Sequence, residues 1–387
     1  MFTPSPPPNQ QPQVLEFFAG IGLARIGLEA AGLRVSWSND YETSKKNMYE
    51  GHFGTSSDHT YVLRDIRKVY ADQLPAGASV AWASSPCTDL SLAGARAGLA
   101  GAESGTFWEF IRILKDFNES RPPIAVLENV VGLATSHAGE DLAAAVKAFN
   151  ELGYSVDVLV IDARRFIPQS RPRLFLVAAQ NPPNGRPQTD STLRPDFLQP
   201  VFGDPTLTTH RAHLPEPPAL LTSGFGMCVE EMPLNDERWW DEERTEAFMS
   251  SLSPTQYQRV MQMHSSPGVK YRTAYRRTRK GIPVWEVRPD DVSGCLRTAR
   301  GGSSKQAVLR VDNSSLHVRW MTPREYARLM GAGEYKLDGI RANKALFGFG
   351  DAVAAPVVQW LSEKYLLPLL REENFTEPEM MEIPLGQ

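Results

Sequence analysis

The chain has 387 residues, of which 42% are hydrophobic and 22% charged, and its formal net charge is −4. This length allows one large domain and a smaller one. Three cysteines without a C-x-x-C pair exclude a disulfide framework, and scattered histidines exclude a metal site built on a histidine cluster. Because neither a long apolar run nor a secretory signal pattern occurs, we expect a cytoplasmic protein that does not span a membrane.

Short apolar runs alternate with helical patterns along the first half of the chain. After a Pro/Gln-rich stretch at 1–13, which we expect to be a disordered tail, strands are predicted at 14–18, 34–38, 80–83, 124–127, 154–160 and 173–177. Helices are predicted near 23–31, 43–50, 106–117 and 141–152. This alternation indicates an α/β fold with a mostly parallel sheet.

The second half of the chain is less regular. Residues 181–218 are rich in proline and polar residues, which predicts a loop-heavy connection, and 219–318 are typical of a second, smaller domain. Helical periodicity returns at 323–330 and 352–367. The predicted divisions are a first domain at 14–180, a linker and second domain at 181–340, a segment returning to the first domain at 341–371, and an acidic tail at 372–387.

Positive charge is concentrated in one segment despite the negative total. Residues 259–310 contain twelve lysines and arginines against three acids, a local net charge of +9. Residues 230–246 contain eight acids against two arginines, a local net charge of −6. The basic segment predicts a phosphate-binding surface. The alternative is a solvated charged face without a partner.

A glycine-containing turn follows the first predicted strand. Phe18, Ala19, Gly20 and Gly22 precede a helix, and glycines there let the backbone approach a ligand. Asp40 ends the second predicted strand, where an acid typically binds ribose hydroxyls. This pattern predicts a nucleoside-containing cofactor, although Arg25 breaks the G-x-G-x-x-G pattern typical of NAD. A tight turn without a ligand is the alternative.

A thiol and a carboxylate follow two further predicted strands. Cys87 comes after 80–83, and Glu128 follows 124–127. A parallel sheet would bring both to its carboxyl edge. There they suit covalent catalysis, with sulfur as the nucleophile and the acid managing a proton. The alternative is that Cys87 is simply a small buried residue.

With these motifs in this order, the chain resembles the bacterial DNA cytosine C5-methyltransferases. The matching segments are FAGIG at 18–22, Asp40, Asp65-Ile66, Ser85-Pro86-Cys87, Glu128-Asn129-Val130, Gln169-Ser170-Arg171-Pro172-Arg173, RWMTPREYARLMG at 319–331 and Gly350-Asp351-Ala352-Val353. They cover roughly 14–180 and 319–360. Each motif is modest, but the ordered set is specific.

The resemblance implies a Rossmann-like fold that binds S-adenosylmethionine as the methyl donor. The implied donor contacts are Phe18, Ala19, Gly20, Gly22, Asp40, Tyr41, Asp65, Ile66, Pro86, Asp351 and Ala352. Cys87 is then the thiolate that adds to C6 of cytosine. Glu128 is expected to bond N3 and the exocyclic amine, and Arg173, with Arg171 as a second candidate, to hold O2.

The substrate implied by the resemblance is duplex DNA with the target base flipped out of the stack. The region between the Gln169–Arg173 motif and the motif at 319–331 is then the target-recognition region, with arginines that bind phosphates or read guanine. The loop 88–103 is expected to close over the base. The predicted DNA contacts are Thr88, Ser91, Arg276, Arg277, Arg279, Arg297, Thr298, Ser303 and Ser304.

Three residues depart from the family pattern: Thr88 replaces a frequent glutamine, Glu16 a usual aspartate and Asp351 a frequent asparagine. None removes a group that the chemistry requires. Two rival interpretations stay open, a tRNA cytosine C5-methyltransferase and a catalytically silent DNA-binding module. We also expect a monomer, with a cognate restriction endonuclease or defence system as a possible partner.

Overall fold

The computed structural model describes residues 11–86, 105–279, 281–297, 305–313 and 315–371. Within these residues, seven strands form the main sheet in the order β3-β2-β1-β4-β5-β7-β6. The strands are β1 Gln13–Phe17, β2 Arg34–Asp40, β3 Thr60–Leu63, β4 Val80–Ser84, β5 Ile124–Val130, β6 Ser155–Asp162 and β7 Pro172–Ala179.

The main sheet is mostly parallel, which confirms the predicted fold class. Strands β1 to β5 pair in parallel, whereas β7 runs antiparallel between β5 and β6. Since the carboxyl ends of β1, β2, β4 and β5 share one edge, the residues that follow these strands are brought together there. This edge carries the glycine turn, Asp40, Ser85 and Glu128.

Helices cover both faces of this sheet. On one face, α1 Leu23–Ala30 packs with the C-terminal helical group, which comprises the helices within 323–370. On the other face, α3 Thr106–Asp116 and α5 Glu140–Asn150 pack against the alternate residues of the same strands. The remaining helices are α2 Thr43–Phe53, α4 Gly132–Thr135, α6 Gln199–Gly203, α7 Phe225–Cys228, α8 Glu242–Ser250, α9 Pro254–His264, α10 Pro323–Leu329, α11 Ala342–Asp351, α12 Ala355–Leu361 and α13 Leu367–Leu370.

The C-terminal helical group differs from the predicted one. Helix α11 begins ten residues before the predicted start at 352, and an extended segment at Ala352 separates it from α12. The run Ala342–Leu370 is apolar and long enough to pass for a membrane span, but 72% of its most apolar window is buried inside the protein. It therefore packs as part of the core.

A second sheet lies in the region predicted to be irregular. Its strands are β8 Lys270–Arg279, β9 Ile282–Val287, β10 Gln306–Val311 and β11 Leu316–Trp320. They are antiparallel, in the order β11-β10-β8-β9. Helices α8 and α9 cover one face through Phe248, Val260 and Met263. The sequence did not predict β8 as a strand because its basic residues interrupt the alternation of apolar and polar residues.

Candidate active site

The turn after β1 adopts a backbone conformation that favours glycine. Gly20 and Gly22 have φ angles of 57° and 81°. A Cβ on Gly22 would lie 2.4 Å from the Phe53 ring and 2.7 Å from the Tyr49 ring, so a larger residue there is excluded. By contrast, a Cβ on Gly20 would meet nothing closer than Cδ of Lys45 at 3.9 Å. The rings of Phe53 and Tyr49 thus pack against the turn at Gly22, whereas space remains beside Gly20.

Tyrosines fix the carbonyl groups of this turn. The hydroxyl of Tyr61 donates to the carbonyl of Gly20 at 3.2 Å, and that of Tyr335 donates to the carbonyl of Ile21 at 2.8 Å. Because Tyr335 follows α10, the C-terminal group contributes directly to the geometry of the turn. Sequence reasoning identified neither tyrosine, since each is distant along the chain from the glycines.

Asp40 lies beside the glycine turn, as the order of β1 and β2 requires. Its carboxylate accepts from the backbone N–H of Gly20 at 3.0 Å and of Glu42 at 2.9 Å. Burial raises the pKa of Asp40, while the ammonium of Lys45 and the two N–H donors oppose this rise. Asp40 therefore orders the turn itself, in addition to its predicted contact with the donor ribose.

The predicted donor contacts Asp65 and Ile66 lie one strand further along the edge, after β3. Ile66 is buried, and the Asp65 side chain accepts from the backbone N–H of Arg67 at 3.0 Å. Tyr41 is 56% exposed and follows Asp40 directly. An apolar side chain, an acid and an exposed aromatic ring therefore lie near the ends of β2 and β3.

Another predicted donor contact, Asp351, is the last residue of α11. The carboxylate of Asp351 lies 2.5 Å from Nζ of Lys45, which also lies 4.0 Å from the Asp40 carboxylate. Helix α11 packs closely on the turn, because a Cβ on Gly348 would be 2.8 Å from Ile21. The structure thus brings Gly20, Asp40 and Asp351 together, with Lys45 between the two acids.

Glu16, which departs from the family pattern, does not reach this space. It is buried, and the hydroxyl of Ser38 donates to it at 2.9 Å. The same hydroxyl lies 2.9 Å from that of Tyr49. Burial raises the pKa of Glu16 to about 8 against the opposing effect of Ser38. Glu16 is thus held in a buried polar network with Ser38 and Tyr49.

Glu128 forms an ion pair at the end of β5. Its carboxylate lies 3.2 Å from Nε of Arg173, which is close because β5 and β7 pair side by side. Burial raises the pKa of Glu128, and the positive charges of Arg173 and Arg171 lower it in part. A buried carboxyl at the end of a strand is placed to exchange a proton with a bound base.

Asn129 ties this strand end to the segment that leads to Cys87. Its amide donates to Oγ of Ser85 at 3.0 Å and, at 3.4 Å, to the carbonyl of the same residue. Sequence reasoning matched Asn129 to a motif without giving it a role. The contact places the Ser85-Pro86 segment next to Glu128. Cys87 itself lies outside the described residues.

Arg171 differs from Arg173 in its surroundings. Its guanidinium is buried and donates to the carbonyls of Leu296 at 2.7 Å, Ala352 at 2.6 Å and Gly350 at 3.2 Å. The carbonyl of Leu296 belongs to the segment between β9 and β10, and those of Gly350 and Ala352 belong to the end of α11 and the break after it. Arg171 therefore connects three parts of the chain, and this geometry supports a positioning role.

Gln169 makes a similar connection and was missed as a site residue. It is fully buried, and its amide donates to the carbonyl of Leu329 at 2.5 Å and accepts from the N–H of Leu296 at 3.0 Å. Together Gln169 and Arg171 fix the segment at Cys295. Its thiol lies 3.3 Å from Arg171. Burial would raise the pKa of Cys295, but Arg171, Arg173 and Arg297 hold it below its ordinary value.

The basic residues of β8 separate onto opposite faces of the second sheet. The half-buried Arg276 lies over the Trp285 ring at 5.7 Å, on the face that packs against the helices. Arg277 points the other way, is 46% exposed and lies 3.3 Å from Glu286. Arg297 is exposed. Only backbone is described for Arg279, and Thr88, Ser91, Thr298, Ser303 and Ser304 lie outside the described residues.

The sheet order, the glycine turn and the acids at the strand ends together define a Rossmann-like methyltransferase fold. Comparison with solved structures agrees. The chain is similar to the Dnmt2 methyltransferase of S. pombe, with a TM-score of 0.59, 18% identity and coverage of 93% of this chain and 99% of that one. It is also similar to EhMeth of Entamoeba histolytica, with a TM-score of 0.59 and 14% identity over 95% of this chain and 100% of that one.

Sequence comparison identifies the family. Residues 13–366 match the family model of the C-5 cytosine-specific DNA methylases. The chain is 26% identical to type II methyltransferase M.DsaV of Dactylococcopsis salina, over 92% of this chain and 87% of that protein. It is 25% identical to M.HpaII of Haemophilus parainfluenzae, over 95% and 93%. The chain belongs to the C-5 cytosine-specific DNA methylase family and is a DNA (cytosine-5-)-methyltransferase.

Proposed function

We propose that this enzyme methylates C5 of a flipped cytosine within a specific duplex DNA sequence, through a covalent bond between Cys87 and C6 of the base. The observation that supports this most directly is the buried Glu128–Arg173 ion pair beside the Ser85-Pro86 segment. It places an acid and a cation next to the segment that carries the thiol.

S-adenosylmethionine, when bound, supplies the methyl group as an electrophilic sulfonium methyl. Its binding residues would be those around the glycine turn, with the open space beside Gly20, the ribose-binding acid Asp40 and the apolar contact Ile66. Pro86 and Asp351 with Ala352 would complete the site. The residues present fit a donor that combines a nucleoside with a charged amino-acid end.

Cytosine C5 is too weak a nucleophile to accept a methyl group without activation. The thiolate of Cys87 adds to C6, and the displaced electron pair moves toward N3 and O2. Glu128 protonates N3 and accepts from the exocyclic amine, while Arg173 donates to O2, so the developing charge is stabilised. C5 then takes the methyl group, a base removes the C5 proton, Cys87 leaves as the thiolate and N3 returns its proton to Glu128. Arg171 and Gln169 hold the surrounding segments in position.

The second sheet and the segment between β9 and β10 would bind the duplex through their exposed basic residues. Arg277 and Arg297 are exposed, whereas Arg276 packs on Trp285. We propose that residues 181–340 form the linker and target-recognition domain, and that 341–371 complete the catalytic domain. We further propose a monomeric bacterial cytoplasmic enzyme paired with a cognate restriction endonuclease or another defence component.

Labelled methyl donor, incubated with the protein and with duplex DNA, tRNA or no nucleic acid, tests the function. We expect label in duplex DNA at cytosine C5. Label in tRNA alone would favour the tRNA enzyme, and label in neither, with duplex binding intact, would favour a silent binding module.

We expect Asp40→Ala to weaken S-adenosylmethionine binding by about 1–3 kcal/mol, the cost of losing hydrogen bonds to a charged group. The substitution also removes the contact that orders Gly20. Isothermal titration calorimetry measures the change, with Asp116→Ala, on the surface of α3, as the control that should keep the parent's affinity. Unchanged donor affinity in a folded Asp40 variant would remove Asp40 from the donor site.

Neighbouring arginines on β8 should behave differently in DNA binding. We expect Arg277→Ala to weaken duplex binding and to reduce the slope of log K against log salt by about 0.9, the value for one lost phosphate contact. Arg276→Ala should leave the slope unchanged and lower thermal stability, since its guanidinium packs on Trp285. Titrations at several salt concentrations compare the two; equal slopes for Arg277→Ala and the parent would show that Arg277 belongs to a solvated face.

A further inference from the structure

Lys45 occupies a position in the donor site to which no function has been assigned. It lies in the first turn of α2, directly after the end of β2, and its side chain is 13% exposed. The stem passes beside Gly20, at 3.9 Å from where a Cβ would lie. Its ammonium stands 2.5 Å from the Asp351 carboxylate and 4.0 Å from that of Asp40.

Two acids hold this ammonium charged. Burial would lower the pKa of Lys45, but Asp351 and Asp40 raise it above its ordinary value. The Phe347 ring lies 5.8 Å from the ammonium and limits its freedom on another side. The site therefore contains a fixed positive charge between the acid at the ribose position and the acid at the end of α11.

The positive charge of Lys45 is complementary to one group of the methyl donor. The amino-acid end of S-adenosylmethionine carries a carboxylate, and both Asp40 and Asp351 would repel it. An ammonium placed between those acids offsets the repulsion and offers three hydrogen-bond donors. Lys45 and Asp351, although 306 residues apart in the sequence, form a close ion pair in this chain.

We propose that Lys45, held in place by Asp351, binds the carboxylate of the methyl donor and makes the enzyme select donors that carry this group. The proposal deepens the proposed function and rests on it. It predicts that decarboxylated S-adenosylmethionine, which keeps the nucleoside, the sulfonium and the ammonium, binds about 10- to 100-fold more weakly than S-adenosylmethionine.

Calorimetry with the full-length protein and these two donors tests the proposal. In Lys45→Met, which keeps the stem and removes the charge, we expect the affinity for S-adenosylmethionine to fall about 10- to 100-fold. The affinity for the decarboxylated donor should change little, so the preference between the two should disappear. A merely structural role would weaken both donors equally.

Lys46→Met is the matched control. Lys46 is the next residue on α2 and pairs with Glu50 at 3.5 Å, away from both site acids. The Lys46→Met variant should keep the parent's preference. A Lys45→Met variant that still prefers the carboxylate-bearing donor would overturn the inference. A parent protein that binds neither donor would instead overturn the proposed function.

Discussion

We expect Cys87→Ser to abolish methyl transfer to duplex DNA, with turnover falling by about 10⁴-fold or more, because a hydroxyl cannot replace the thiolate as the nucleophile. An unperturbed thiol has a pKa of about 8.5. Positive charges and helix N-termini favour the thiolate form of a cysteine at neutral pH. Donor affinity should stay at the parent's value. Incorporation of labelled methyl groups under single-turnover conditions measures the loss.

Cys228→Ser is the control for this substitution. Cys228 is buried in α7, and burial raises the pKa of its thiol to about 11, so it stays protonated and unreactive. The Cys228 variant should therefore transfer methyl groups at the parent's rate. Full activity in Cys87→Ser would place the nucleophile elsewhere.

We expect Glu325→Ala to lower the free energy of unfolding by about 3–5 kcal/mol, the usual cost of removing one partner of a buried ion pair. Arg319 and Glu325 are fully buried, with Nη1 of Arg319 donating to the carboxylate at 2.8 Å. The same carboxylate accepts from the N–H of Thr322 at 2.8 Å and of Glu230 at 2.9 Å. Loss of Glu325 removes the charged partner of Arg319, whose guanidinium keeps only the carbonyls of Trp320 and Glu230, and it leaves the N–H groups of Thr322 and Glu230 without this acceptor.

Urea denaturation measures this effect, and Asp116→Ala provides the comparison. Asp116 pairs with Arg112 at 3.2 Å on the surface of α3, where such pairs contribute at most about 1 kcal/mol. If Glu325→Ala costs no more than Asp116→Ala, the motif at 319–331 does not stabilise the fold through this buried pair. The expected difference would assign that motif a structural role between the second sheet and the catalytic core.

The main sheet could largely be predicted from the sequence because most of its strands are short, buried apolar runs. Strand β3 was missed because Thr60 and Leu63 are exposed and its edge position leaves no continuous apolar signal. The second sheet was missed for a related reason: β8 places arginines on both faces, so apolar and polar residues do not alternate. Had β8 been predicted as a strand, Arg276 and Arg277 would have been expected on opposite faces of the sheet, because neighbouring strand residues point to opposite faces.

The positions of Asp40 and Glu128 could be anticipated because residues that end parallel strands share one edge. The partners of the site could not be anticipated, since they are distant in sequence. Lys45 and Asp351 are 306 residues apart, and Gln169 and Leu329 are 160 apart. Motif matching gave a list of residues, whereas the contacts add their partners, such as the carbonyls that Arg171 and Gln169 bind.

The most direct test of the central claim uses duplex DNA with 5-fluorocytosine at the target position and S-adenosylmethionine. Fluorine at C5 leaves no proton to eliminate, so the bond between Cys87 and C6 should persist after methyl transfer. We predict a protein–DNA complex that survives denaturation, forms in Cys228→Ser and Cys295→Ser and is absent in Cys87→Ser. A complex that still forms without Cys87 would contradict the proposed mechanism.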